Sequence, residues 1–399
     1  MKDKKLIFII YSLSGGGAER HAVTIANYLV EHGYELEILL LETPKIDYEL
    51  DDRVKVVFLH NCGSLPESIP ERITVVDSAM KKLSLVNRVR LKYYKTFSHD
   101  KFDVFDNWQM YKRRYSDKLY DYIKDKEGYT VFSWMTIASI ATCVALQHLK
   151  NELIIVECSS PFAEFEENHP ITILKKKFSS RAQKVICQTY DIAGFYDFLS
   201  DAEIYVIPNP IKQDFPERYQ GVRQKKIVTF SRITKVKNIP LLIDAFHRLH
   251  DDYPDYRLHI FGNGTEKKNL ISYVKESGLE NAVMFFDHDP HLHSRIRDYA
   301  MFVSSSIREG ISNSMLEAMA IGLPTISTDS SGGGARMIIQ NNVNGILVPV
   351  NDVQAMYEAM KYIVEHPDEA EKMSVNAAKI REELSIDRIG QKWVDAICE

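Results

Sequence analysis

Short apolar runs alternate along this chain with longer stretches in which apolar residues recur every three or four positions. The first pattern is that of a strand buried on both faces, the second that of a helix covering it. Runs at 6–11, 35–41, 54–59, 131–133, 154–157 and 184–188 predict six strands in the first half of the chain. Runs at 226–230, 257–261, 282–285, 301–304, 324–327 and 345–348 predict six more in the second half. Strands and helices in alternation build parallel sheets from βαβ units, so the fold class is α/β with two doubly wound domains. Ligand is then expected at the carboxyl ends of the strands. Two prolines in Ile207-Pro208-Asn209-Pro210 interrupt the pattern and put the boundary there, giving domains at 1–206 and 207–384. The tail, 385–399, carries Ile386, Ile389, Trp393 and Ile397 at helical spacing. No internal repeat or low-complexity segment interrupts this organisation.

Composition narrows the classes without choosing among them. The 399 residues, 45% hydrophobic, can fill two cores. A net charge of -5 gives no general attraction to nucleic acid, which is not expected as a partner. Five cysteines, Cys62, Cys143, Cys158, Cys187 and Cys398, are odd in number and form no CxxC pair, which points to a reducing, cytoplasmic compartment. No apolar run reaches the roughly 18 residues of a membrane span, and the run after Lys5 is too short for a secretory signal. The charge is unevenly spread, however. Residues 80–120 hold eleven basic and four acidic side chains, interleaved with Tyr93, Tyr94, Phe97, Phe102, Phe105, Trp108 and Tyr111. That mixture suits an anionic membrane surface, on the inner face of the cytoplasmic membrane. A helical hairpin with a solvated face is the other reading.

The segment Arg308-Glu309-Gly310-Ile311-Ser312-Asn313-Ser314-Met315-Leu316-Glu317 carries the most chemistry. It follows a predicted strand, Ser312 or Asn313 can cap a helix, and Gly322 and Pro324 end that helix. Glu309 thus lies at a strand's carboxyl end and Glu317 about one and a half turns into the helix. Between them the amides of Gly310, Ile311, Ser312, Asn313 and Ser314 open toward solvent. Carboxylates accept from sugar hydroxyls and amides hold a diphosphate, so the layout suits a nucleotide-sugar. Two ordinary glutamates on an exposed helix would look the same by spacing alone.

Here the chain resembles glycosyltransferase family 4, the retaining sugar-nucleotide transferases of the GT-B fold, with bacterial glycan-assembly members. The E-x7-E motif matches Glu309 and Glu317, and EGISNSMLEAMAIGLPTISTD matches nearly throughout. The likeness extends to IFIIYSLSGGGAERHAVTIANYL, VIPNPI and SRITKVKNIPLLIDAF and is weakest at 60–130. It implies two Rossmann-like domains facing across a cleft, an acceptor-binding amino-terminal one and a donor-binding carboxyl-terminal one, with 385–399 packing back on the first. It implies a hexosyltransferase that moves a hexose or N-acetylhexosamine from a nucleotide diphosphate sugar, expected to be uridine-linked, to a glycan acceptor. Lipid-linked oligosaccharide, lipopolysaccharide or capsule precursors are the acceptors expected. A sugar-nucleotide epimerase on the same fold and a non-catalytic partner subunit are the alternatives.

Residue by residue, the resemblance assigns Arg232 and Lys237 to the leaving pyrophosphate and Glu309 to the transferred hexose. It assigns Glu317 to the ribose, Gly262 and Gly264 to a loop near the nucleotide, and Gly16 and Gly17 to the donor diphosphate. Ser231 replaces a glycine common in the family, and Asp287 another. Cys158 stands where many relatives have histidine, and from sequence it has no partner base that would make it a nucleophile. The first glycine loop also begins a dinucleotide fingerprint, with Glu42 near the second strand's end, but Arg20 stands where the third glycine belongs. Asp287-His288-Asp289-Pro290-His291-Leu292-His293 imitates a metal site, yet lies in a proline-containing loop. The family neutralises the diphosphate with basic side chains and helix dipoles, so neither a metal nor another cofactor is expected.

Overall fold

The computed structural model describes residues 4–60, 68–77, 82–159, 169–212, 214–287 and 289–399. Cys62, Lys81 and His288 lie outside the described residues. The chain divides into two compact units, one of Met1–Gln188, Ile192–Ile207 and Gly390–Glu399, the other of Thr189–Asp191 and Pro208–Ile389.

The first unit contains β1 (Lys5–Ile10), β2 (Glu35–Leu40), β3 (Lys55–His60), β4 (Ile73–Asp77), β5 (Thr130–Trp134), β6 (Leu153–Glu157), β7 (Lys184–Cys187) and β8 (Glu203–Val206). These form one sheet in the order β4-β3-β2-β1-β5-β6-β7-β8. Every pairing is parallel. β4 and β8, absent from the sequence expectation, are the two edge strands. An edge strand is only half covered, so its apolar run is shorter and broken; β8 has no buried residue. The order reverses between β1 and β5, the switch point of the sheet.

The second unit contains β9 (Gln224–Phe230), β10 (Arg257–Phe261), β11 (Val283–Phe286), β12 (Tyr299–Ser304), β13 (Thr325–Thr328) and β14 (Ile346–Val348). All are parallel in the order β11-β10-β9-β12-β13-β14, and the switch point lies between β9 and β12. Its core joins Ile227, Leu258, Ile260, Met301, Val303 and Ile326 of the sheet to Leu242, Phe246, Met356 and Met360 of covering helices.

At the carboxyl end of the chain, Gly390–Glu399 completes the first unit. Trp393 is fully buried and stacks on Trp134, with ring centroids 5.6 Å apart. Lys184 donates to the Ala396 carbonyl over 3.0 Å. A side chain at Gly390 would collide with the Tyr28 ring, so the final helix lies flush on the first helix, α1 (Gly17–Glu31).

The basic and aromatic region resolves into α2 (Leu85–Phe97) and α3 (His99–Tyr111), followed by a wider-wound turn at Lys112–Ser116. Its residues do not share one surface. Phe105 and Tyr111 are buried and Trp108 stacks near Phe178. Lys118 is buried and donates to the His60 carbonyl, Lys112 pairs with Asp117, and Arg114 pairs with Glu42. The apolar surface of the parallel sheet needs a cover, and α3 with its successors supplies it. No helix of the described residues is long and apolar enough to cross a membrane.

Candidate active site

At the switch point of the second unit the loops after β9 and β12 run side by side. The β9 loop passes through Arg232, makes one tight turn at Lys235–Lys237 and reaches Asn238, whose left-handed backbone precedes the helix Ile239–Asp252. The β12 loop is stitched to it: the Ser305 hydroxyl donates to the Lys237 carbonyl and the Ile307 amide to that of Val236. The next residues lead to Glu309, whose amide donates to the Ser331 carbonyl over 2.9 Å. As a result Lys237 Nζ lies 2.5 Å from Glu309 Oε2. The two residues are 72 positions apart in the chain. Both are largely sheltered, with side chains 18% and 25% exposed. Beside them is a small depression lined by Thr229, Ser231, Lys237, Ser304, Ser306 and Ser314. Arg232, on the same loop, is exposed and has no side-chain partner among the described residues.

The helix Asn313–Ala320 starts as its sequence predicts, with Ser312 as cap accepting from the Met315 amide over 3.4 Å. Gly310, Ile311 and Ser312 are buried and Asn313 and Ser314 half-buried, so the expected opening of all five amides toward solvent does not hold for the first three, although the helix dipole at this end favours an anion. Glu317 is one turn further in, and its Oε2 lies 3.0 Å from His293 Nε2. The histidine ring rests edge-on against Phe215 and Phe230, with centroids 4.7 Å and 5.9 Å away. Its position between two aromatic rings fixes the side of Glu317 it touches. His293 therefore bonds to Glu317, a contact that its grouping with His291 as a candidate metal ligand does not suggest. The burial of Leu292 and Ile296 on its short helix, Leu292–Ile296, is the signal that sets its direction.

Gly262 and Gly264 fall in the loop after β10, packed against the β9 loop. A Cβ at Gly262 would lie 2.0 Å from the Ser231 carbonyl oxygen, and one at Gly264 would lie 2.2 Å from that of Ile233. They let two backbones touch, which holds the segment carrying Arg232. Lys267 crosses from the following helix to Asp287 at 2.6 Å and also donates to the carbonyls of Gly262 and Phe286. Its hydrogen bond is the main reason that the Asp287 carboxyl sits below the usual carboxylate range. The Asp289 carboxyl is lowered too, first by the His291 amide and then by Arg295. Both acids of the metal-like segment are thus bound to donors of the protein. Among the described residues no three His, Cys, Asp or Glu side chains converge where they could hold a metal ion.

One element went unrecognised in the sequence. The run Ser331-Gly332-Gly333-Gly334 after β13 lies directly under the Glu309 loop. A Cβ at Gly332 would approach the Glu309 carbonyl oxygen to 2.2 Å, and one at Gly334 would approach that of Gly310 to 1.8 Å. Three glycines between a strand and a helix are the available signal; what they support is 22 or more residues away.

In the first unit, Gly16 caps α1 and its carbonyl accepts from the Tyr48 hydroxyl over 2.7 Å, while the Glu19 carboxylate folds over the same residue. Glu42 is engaged by Arg114 and by the Tyr115 hydroxyl, so it is not free to bind a ribose in a dinucleotide site. Glu157 is fully buried and bonded by Lys175 and Tyr196. Cys158 does have a ring nitrogen nearby, His21 Nδ1 at 3.9 Å, which the sequence did not reveal. Burial, with Glu157 adding to it, pushes the thiol well above its ordinary range, and burial lowers His21 to about 3. Both shifts favour the uncharged forms, which weighs against a thiolate nucleophile at Cys158.

With the geometry in view, similar proteins sharpen its meaning. Residues 211–380 match the family model described as "Glycosyl transferases group 1". An uncharacterized glycosyltransferase of Haemophilus influenzae is 21% identical over 98% of this chain and 99% of its own. A Campylobacter jejuni protein named N-acetylgalactosamine-N,N'-diacetylbacillosaminyl-diphospho-undecaprenol 4-alpha-N-acetylgalactosaminyltransferase is 26% identical over 95% of this chain and 94% of its own. Among solved structures, Anabaena HepE in complex with UDP and glucose superposes with a TM-score of 0.71 at 16% identity, covering 100% of both chains. The two parallel sheets with their helices are the GT-B architecture, and the protein is a glycosyltransferase.

Proposed function

We propose that this glycosyltransferase retains configuration while moving a hexose or N-acetylhexosamine from a uridine diphosphate donor to a lipid-linked glycan. The observation that carries the reading is the Lys237–Glu309 pair at the β9/β12 switch point, set beside the amino-terminal end of the helix Asn313–Ala320. A lysine and an arginine on one loop can hold a diphosphate as it departs with added charge. Glu309 is close enough to Lys237 to share that region and accepts from hydroxyls of the hexose. Glu317, steadied by His293, accepts from the ribose. The acceptor hydroxyl attacks the face that the diphosphate leaves, and a phosphate oxygen takes its proton. In this reading the carboxylates of Glu309 and Glu317 bind hydroxyls and neither attacks the sugar. The undecaprenol-linked substrate in the Campylobacter relative's name supports a lipid-linked acceptor.

Purified protein offered uridine and guanosine diphosphate sugars is expected to hydrolyse one uridine donor slowly and to transfer it, with full activity in excess chelator. Lys267 and Arg295 already satisfy the acids a metal would need. Guanosine donors alone being used, or strict dependence on a divalent ion lost with Asp287→Ala and Asp289→Ala, would replace this reading.

The two glutamates are separable. Glu317→Ala is expected to weaken binding of free uridine diphosphate about tenfold, as loss of a hydrogen-bonded carboxylate does. Glu309→Ala spares that binding and impairs transfer. Calorimetry that returns the reverse order reassigns both.

A further inference from the structure

We infer that the outer face of α2 is a docking surface for an anionic lipid bilayer. Leu85, Val86, Val89 and Tyr93 are 69%, 67%, 62% and 58% exposed. At about 100° per residue these four fall on one arc of the helix. A single exposed leucine is ordinary; four contiguous apolar side chains on one helical face are not. The opposite face is the one used by the fold: Asn87 donates to Gln109 over 3.1 Å, and Tyr94 packs edge-on against Phe105 at 5.6 Å. The helix is therefore held in place and presents its apolar arc outward.

Charge decides what covers it. Arg88, Lys92 and Lys95 border the arc on one side and Arg90 on the other, all exposed, and α2 contains no acidic residue. An apolar strip flanked by cations matches the interface of a bilayer with negative head groups, where the strip enters the acyl boundary and the cations stay at the phosphates. A second copy of this chain would set four cations against four, which opposes pairing through α2. The surface is narrower than the basic cluster read from sequence, because Lys112, Arg114 and Lys118 are committed elsewhere in the first unit.

This inference deepens the proposal of a lipid-linked acceptor but is tested without donor or acceptor. The protein is sedimented with vesicles of phosphatidylcholine containing one third phosphatidylglycerol, and with vesicles of phosphatidylcholine alone. Binding to the anionic vesicles, weakening as salt rises, is expected, with little binding to the neutral ones. Val86→Glu with Val89→Glu, and separately Arg88→Glu with Lys92→Glu, should each weaken partitioning at least tenfold while melting temperature and uridine diphosphate binding stay parental. The second pair guards against the first acting through misfolding. Equal vesicle binding by parent and variants overturns the inference. So does self-association in sedimentation velocity that the valine changes abolish in a parent that ignores vesicles. If vesicle binding holds but soluble and lipid-linked acceptors are used equally well, the surface stands and the acceptor assignment falls.

Discussion

Lys237→Ala is expected to lower the rate of transfer on the order of 100-fold or more, about 2.7 kcal/mol of transition-state stabilisation. The diphosphate gains negative charge as the glycosidic bond breaks, and a cation already fixed in place stabilises it with no cost of reorganisation. Two effects add in this variant. The ammonium is lost, and the Glu309 carboxylate that it neutralised at 2.5 Å remains, now repelling the leaving group. Some stability should be lost as well. A pair whose side chains keep only 18% and 25% exposure is partly buried, and removing Lys237 leaves Glu309 sheltered and unpaired, a cost between the about 0–1 kcal/mol of a surface pair and the about 3–5 kcal/mol of a fully buried one. Steady-state kinetics at saturating donor, with melting measured in parallel, checks both parts. Turnover within a few fold of the parent would remove Lys237 from the chemistry.

Gly334→Ala is expected to cost as much by a purely steric route. The added Cβ would lie 1.8 Å from the Gly310 carbonyl oxygen and 2.7 Å from the Ile311 Cα, against an ordinary contact near ~3.5 Å. Both neighbours are backbone, so neither can turn aside. The loop between Glu309 and Ser312 must move by an ångström or more. Displacements of that size at a reacting centre can cost about 100-fold, and the overpacking itself about 1–3 kcal/mol of stability. Loss of transfer and of uridine diphosphate binding in a protein with parental circular dichroism is the expected result. Parental kinetics for Gly334→Ala would mean that the glycine run does not support the loop.

Much of this was readable without coordinates. Central strands such as β1, β6 and β12 are covered on both faces, so their residues form unbroken apolar runs that announce a parallel sheet. Ser312 before an apolar periodic stretch, with Gly322 and Pro324 beyond it, marks the helix that carries Glu317 because capping and chain reversal are local events. The spacing of Glu309 and Glu317 is likewise local, and the alternation of strand and helix patterns announced the α/β class. The edge strands β4 and β8 escaped because half-covered strands lose the signal. Tertiary structure alone decided which distant groups meet: Lys237 with Glu309, His293 with Glu317, Gly334 under Gly310. It also divided the basic segment, sending Lys118 inward and leaving the apolar arc of α2 outward. Periodicity shows that a helix has an apolar face, whereas the partner of that face depends on how the chain packs. Contacts between residues tens of positions apart arise from that packing, which no short window of sequence encodes.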